Sequence, residues 1–188
     1  MTFSTTPTNL TNDDMMPREL AAIMQLESTP NAIRLRIAGL APDQLYRGTN
    51  EDLSIAEQLG FAVERERAYL IVWQAALADR AAKPVLVEPQ PTMLLLDRDF
   101  GDDLALFFDL RRATLDIVRA LSSAQWEQAA NLEGKALKLR DLGVRLAQHD
   151  GQMLASLSNQ RRHWLRTTGV DDLRDSGLAG HLGPNLAQ

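Results

Sequence analysis

The chain contains no cysteine and only three histidines, and both shortages restrict its chemistry. Without cysteine it has no disulfide, no zinc–thiolate centre and no thiolate nucleophile. His149, His163 and His181 are the only imidazoles, so a nitrogen-rich metal site is short of ligands within one chain. Aromatic residues are also few, at 5%, and this aliphatic weighting favours the packing of helix on helix over a β-sandwich.

Long apolar runs and an excess of positive charge are absent as well. No stretch approaches the ~20 apolar residues that a membrane span needs, so we expect no membrane partner. The net charge of −5 gives no electrostatic reason to expect nucleic acid. The basic segment 159–166 ends a predicted helix, where cations are favoured by the helix dipole alone. The N-terminus lacks the basic and apolar regions of a secretory signal, so we expect a cytoplasmic protein.

The sequence does contain helical periodicity over most of its length. Its 188 residues suffice for one domain with a sizeable core and are too few for two. We predict a flexible polar leader over residues 1–15, a helical domain over residues 16–166 and a weakly ordered tail over residues 167–188.

The first two helices carry different boundary signals. In the first, Thr29 is a good N-cap and Pro30 suits the first helical position, which predicts either two short helices or one helix broken near Pro30. The second helix is predicted over residues 55–80, and Ser54 and Glu57 form a capping box at its start.

A proline-punctuated crossover at residues 83–91 separates these helices from two more. The third helix is predicted to begin at a cap on Asp102 or Asp103 and to end near Leu121. A short helical turn follows at Ser122 or Ser123, then a loop over residues 130–137. The fourth helix is predicted from about residue 138 to residue 165. Together the elements predict an all-α fold, an up-down four-helix bundle with a long crossover connection.

The stretch AQHDGQM, residues 147–153, draws attention within the fourth helix. It places His149 and Met153 one helical turn apart, and so on one face. Asp150 points about 100° away from its neighbour His149 on a helix, and we interpret it as a surface acid.

The order and spacing of four segments resemble those of the DinB/YfiT-like superfamily over residues 20–162. The segments, one in each predicted helix in turn, are TPNAIRLRIAGLAPDQL, SIAEQLGFAVERERAYL, DDLALFFDLRRATLDIVRALSSAQWEQ and LRDLGVRLAQHDGQMLASL. The resemblance implies a four-helix bundle with a site for a divalent metal, commonly nickel or zinc. Three histidines hold this metal, one in the second helix and two in a His-Asp-x-x-His-like pattern in the fourth.

This sequence departs from the implied ligand set at two of its three positions. The fourth-helix ligands fall on His149 and Met153, and the second-helix ligand falls on Phe61, in GFAVERE. Phenylalanine cannot coordinate a metal, and a thioether suits soft ions better than a site built on imidazole. We therefore expect no cofactor, with Phe61 and Met153 filling the space of a degenerate site.

Three functions remain open on this basis. The first is a metal-free bundle that binds a small molecule or a partner. The second is a divalent-metal-dependent enzyme, a thiol-dependent transferase or a hydrolase, with nickel or zinc on His149 and Glu64. Glu64 shares a helix face with Phe61, although an ion-paired residue in Glu-Arg-Glu-Arg is the simpler interpretation. The third is an oligomeric interaction module, and the resemblance implies a homodimer.

Overall fold

The computed structural model describes residues 17–49, 53–78, 85–86, 98–132 and 134–167. The predicted leader, most of the crossover and the tail beyond residue 167 lie outside the described residues. No helix in the described ranges is long and apolar enough to cross a membrane.

Four long helices and two short ones account for most of the described chain, and three short strands complete it. The helices are α1 (Pro17–Ile37), α2 (Pro42–Tyr46), α3 (Ile55–Leu77), α4 (Phe100–Ala120), α5 (Ser123–Trp126) and α6 (Leu139–Thr167), and the strands are β1 (Val85–Leu86), β2 (Ala129–Leu132) and β3 (Lys135–Lys138). The long helices form the predicted four-helix bundle, in which α1 packs mainly along α6 and α3 mainly along α4.

The apolar core has two parts. One, the tryptophan cluster, surrounds Trp73 and Trp126, whose rings meet edge to face with centroids 5.8 Å apart. The other, the phenylalanine cluster, contains Phe107, Met153 and Leu157. Both tryptophans are buried.

Membership of the two clusters shows the direction of each helix. Helices α1 and α6 pass from the tryptophan cluster to the phenylalanine cluster, whereas α3 and α4 pass the opposite way. The helices that pack most closely therefore run parallel. Parallel neighbours that follow each other in sequence, as α3 and α4 do, need a long connection, and residues 78–99 supply it.

The segment predicted as a loop over residues 130–137 is a β-hairpin instead. Strand β2 pairs antiparallel with β3 and parallel with β1. Gly134 lies at the turn with φ of 83°, a backbone angle that glycine tolerates without strain. The side chain of Asn131 accepts the N–H of Gly134 at 2.8 Å. This turn chemistry was the signal that the loop prediction missed.

The prediction of a break near Pro30 is also wrong, because α1 is continuous through it. Thr29 is not an N-cap but lies inside the helix, where its hydroxyl donates to the carbonyl of Gln25 at 2.8 Å. Pro30 has no N–H, so the carbonyl of Leu26 has no partner within the helix ladder.

The other helix starts follow from local side-chain bonds. The Ser54–Glu57 capping box is confirmed, with the N–H of Ser54 donating to Glu57 at 2.7 Å and the N–H of Glu57 donating to Ser54 at 3.2 Å. Helix α4 begins earlier than predicted because Asp99, not Asp102 or Asp103, is its cap.

Candidate functional site

A layer of charged side chains lies between the two apolar clusters. Its members are Glu66 on α3, Arg111 on α4 and Asp150 on α6, and all three are buried. On each of these helices the charged residue comes after the members of one cluster and before those of the other. The centre of the bundle is therefore polar.

Arg111, on α4, bonds to each of the other three long helices. Its Nε and Nη2 donate to the two carboxylate oxygens of Glu66, at 3.1 and 2.8 Å. Its Nη1 and Nη2 donate to the two oxygens of Asp150, at 2.5 and 3.0 Å. Its Nη1 also donates to the carbonyl of Leu26 on α1, at 3.1 Å. A guanidinium has five N–H donors, so this set of five bonds satisfies it completely.

The electrostatics keep Arg111 charged. Burial by itself lowers its pKa, because an ion is disfavoured away from water, and Arg111 is only 1% exposed. The attraction of Glu66 and Asp150 outweighs burial, so the pKa is raised above its ordinary value. The face of the Phe107 ring adds a further contact, with the guanidinium carbon 4.9 Å from the ring centroid.

Asp150 was predicted to be a surface acid, and that interpretation is wrong. It is buried, whereas His149 is half-buried. The sequence contained the relevant signal, since Leu146, Asp150, Met153 and Leu157 follow the spacing of one helix face. A carboxylate in such an apolar stripe needs a buried cation, and only the packing of α4 shows that Arg111 supplies it.

The residues that the sequence assigned to the metal site, His149, Glu64, Phe61 and Met153, occupy different environments. His149 is half-buried. Phe61 and Met153 are buried. Met153 belongs to the phenylalanine cluster, and Phe61 belongs to neither cluster. Glu64 accepts hydrogen bonds from Arg98 at 2.6 Å and from Arg67 at 3.1 Å.

Arg98 joins Glu64 to the first turn of α4. Its Nε donates to both carboxylate oxygens of Asp103 at 2.9 Å. The bond to Asp103 is the largest of the effects that raise the pKa of Arg98. Glu64 thus belongs to a second arginine–carboxylate network. The sequence had predicted only an ion pair within α3.

The donor set does not fit a three-ligand metal centre. In the described part of the chain, no three side chains among histidine, aspartate and glutamate lie close enough together to hold a metal ion. The carboxylates of Glu64, Glu66 and Asp150 are already bonded to arginine. A metal would have to displace those arginines before it could bind.

A cleft of about 900 Å³ lies elsewhere, between the first half of α1, strand β3 and the first half of α6. Glu19 lines it and is only 3% exposed. Its Oε2 is buried and has no hydrogen-bond partner among the described residues. The sequence interpretation missed this cleft, although Glu19, Ala22, Ile23 and Leu26 follow the spacing of one buried helix face.

The order and packing of the helices match those of a solved four-helix bundle. The structure is similar to that of YfiT from Bacillus subtilis, described as a probable metal-dependent hydrolase with an unusual four-helix bundle topology. The TM-score is 0.70 at 14% sequence identity, and the likeness covers 82% of this chain and 93% of YfiT. No protein-family model and no curated protein matches the sequence. The likeness establishes the fold.

Proposed function

We propose that this protein is a small-molecule-binding bundle that works without the three-histidine metal centre. The proposal rests on one observation: the carboxylates that could bind a metal are already paired with arginines. Arg111 pairs with Glu66 and Asp150, and Arg98 pairs with Glu64. Burying these groups as ion pairs is costly unless every donor and acceptor is satisfied, which the Arg111 geometry achieves. The centre therefore has a structural role in this proposal.

Ligand binding is assigned to the cleft between α1 and α6. Its volume of about 900 Å³ is within the usual range for small-molecule sites. It also contains Oε2 of Glu19, a buried acceptor without a partner among the described residues, whereas the carboxylates of Glu66 and Asp150 are bonded to Arg111. A concave surface with a few convergent polar groups is the usual form of a ligand site.

Metal content after purification without an affinity-tag metal tests the metal-free part of the proposal. We expect no stoichiometric metal in wild type or His149→Ala, and no thermal shift in either protein on adding Zn²⁺, Ni²⁺ or Mn²⁺. A metal at a hundred times its dissociation constant would stabilise the native state by about 2.7 kcal/mol, a readable shift. Near-stoichiometric metal that His149→Ala removes would show the proposal to be wrong.

A divalent-metal-dependent enzyme is the second candidate. The shared fold with YfiT favours it, since YfiT is described as a probable metal-dependent hydrolase. Hydrolysis or thiol-dependent transfer would then depend on nickel or zinc held by His149 and Glu64. Metal that is lost in both His149→Ala and Glu64→Gln would establish this candidate over the first.

A second copy of the chain is the protein partner that we propose. Met24 and Leu35 on α1 are 60% and 62% exposed, large values for apolar side chains. Eleven residues separate them, about three helical turns, so they lie on one face. Light scattering coupled to size exclusion should give twice the chain mass, and Met24→Gln with Leu35→Gln should shift the protein towards monomer.

We expect the protein in the cytoplasm.

A further inference from the structure

The cleft between α1 and α6 is lined by a buried carboxyl group, that of Glu19. The Oε2 of Glu19 is removed from water, and it has no hydrogen-bond partner in the part of the chain that the structure describes. An acceptor in that state costs free energy, and for a charged group the cost is large. A bound ligand that donates to Oε2 would recover this free energy, so the site favours a ligand with a cationic donor.

The surroundings of Glu19 contain apolar and basic groups. Ala21, Ala22, Val144 and Leu137 provide the apolar part of the lining. Small side chains on facing helices leave room for an aliphatic body of a few carbon atoms.

Three arginines also line the cleft: Arg18, Arg140 and Arg145. Arg140 is paired with Glu127 and Arg145 also has an interaction partner, so the inference uses Arg18. The other acidic lining residue is Asp141, and one of its oxygens accepts the backbone N–H of Lys138 at the start of α6. Guanidinium groups are well suited to carboxylate or phosphate, so the basic part of the lining favours an anionic group.

We propose that the cleft binds a small zwitterion of the amino-acid class. Its primary ammonium donates to the carboxylate of Glu19, its anionic group meets Arg18, and its aliphatic part covers the small apolar residues. This inference rests on the proposed small-molecule function and specifies the ligand of the same cleft.

Four six-carbon compounds test separately whether the ammonium and the anionic group of the ligand contribute to binding. L-norleucine and 6-aminohexanoate carry both charges, hexylamine carries only the ammonium, and hexanoate carries only the carboxylate. Calorimetric titration of the full chain with each compound gives the dissociation constants. We expect at least one zwitterion to bind about tenfold or more tightly than hexanoate, since a hydrogen bond between charged partners is at the strong end of the range. Equal binding of hexanoate and the zwitterions, or no binding by either zwitterion, would overturn the inference.

Substitutions of Glu19 and Arg18 test which residue binds the ammonium and which binds the anionic group. Glu19→Gln keeps the size of the side chain and removes its charge, and we expect it to weaken the zwitterion about tenfold or more. Glu27→Gln is the matched control, because Glu27 lies on the same helix in an exposed pair with Arg119 and does not line the cleft. Arg18→Gln should weaken the zwitterion and leave hexylamine unchanged. Equal affinities for Glu19→Gln and Glu27→Gln would exclude Glu19 as the ammonium partner.

The two levels of the proposal fail in different ways. If the wild type binds hexanoate better than either zwitterion, small-molecule binding stands and the ligand class is wrong. If wild type carries stoichiometric metal at His149, the metal-free function is wrong. In that case, an affinity for norleucine that is lost in Glu19→Gln would still support the ligand proposed for the cleft.

Discussion

The guanidinium of Arg111 donates to the carbonyl oxygen of Leu26, and Leu26 lies four residues before Pro30. In a regular helix that carbonyl would accept the N–H of residue 30, which proline lacks. The proline therefore frees an acceptor at the point where α1 faces the charged layer. Pro30, which sequence reasoning treats as a helix breaker, thus leaves the Leu26 carbonyl free to accept the fifth hydrogen bond of Arg111.

Replacing Arg111 should be strongly destabilising. Arg111→Met leaves Glu66 and Asp150 buried without a cation, and loss of one partner from a buried pair costs about 3–5 kcal/mol. Urea unfolding should show this loss of free energy of unfolding. The control is Arg112→Met, because the Arg112 side chain is 73% exposed and its pair with Asp109 is worth little. A loss below ~1 kcal/mol for Arg111→Met would contradict the structural role of the layer.

Pro30 and Arg111 should be energetically coupled. Pro30→Ala restores an N–H that can bond to Leu26, but in wild type that carbonyl already accepts from Arg111. In the Arg111→Met background the carbonyl is free, so Pro30→Ala should stabilise more there than in wild type. A double-mutant cycle in urea should give a coupling of about 0.5–3 kcal/mol. Additive effects would mean that the shared carbonyl is energetically unimportant.

Two glycines of α6 should respond in opposite ways to the same change. A Cβ added at Gly143 would lie 3.2 Å from the Trp126 ring, which is buried against Trp73 and has little room to move. We expect Gly143→Ala to destabilise by about 1–3 kcal/mol through overpacking. A Cβ added at Gly151 meets nothing within 4 Å, so Gly151→Ala should stabilise by about 0.5–1 kcal/mol. Thermal unfolding of the two variants checks both signs, and stabilisation of both would show that the tryptophans can move.

Glu127, at the C-terminal end of α5, is a carboxylate whose titration can be followed directly. The hydrogen bond from Lys138 is the largest of the effects that lower the pKa of Glu127 below its ordinary value. A lowered carboxyl pKa favours the folded state above the unfolded pKa, and this contribution is lost as the pH falls through the folded pKa. NMR titration should show the pKa of Glu127 rising in Lys138→Gln and staying unchanged in Lys135→Gln. An unchanged value in Lys138→Gln would contradict the contact.

Local signals predicted the helices well where one residue satisfies another nearby. The Ser54–Glu57 box lies within four residues, so its bonds depend on no distant element, and the start of α3 was predicted correctly. The apolar periodicity of α6 likewise predicted its extent to within two residues. The hairpin after α5 was missed because its strands are only four residues long and carry too little periodicity to outweigh a loop.

The sequence by itself determined the four amphipathic helices, the Ser54–Glu57 cap and the departure from a three-histidine site, because these depend on residue type and short-range spacing. Only the tertiary structure decided what the buried charges do. Asp150 and Glu66 are brought to Arg111 from separate helices, and Oε2 of Glu19, in a cleft formed by α1 and α6, has no partner among the described residues. Partners that lie far apart in sequence are set by helix packing, which no local pattern specifies.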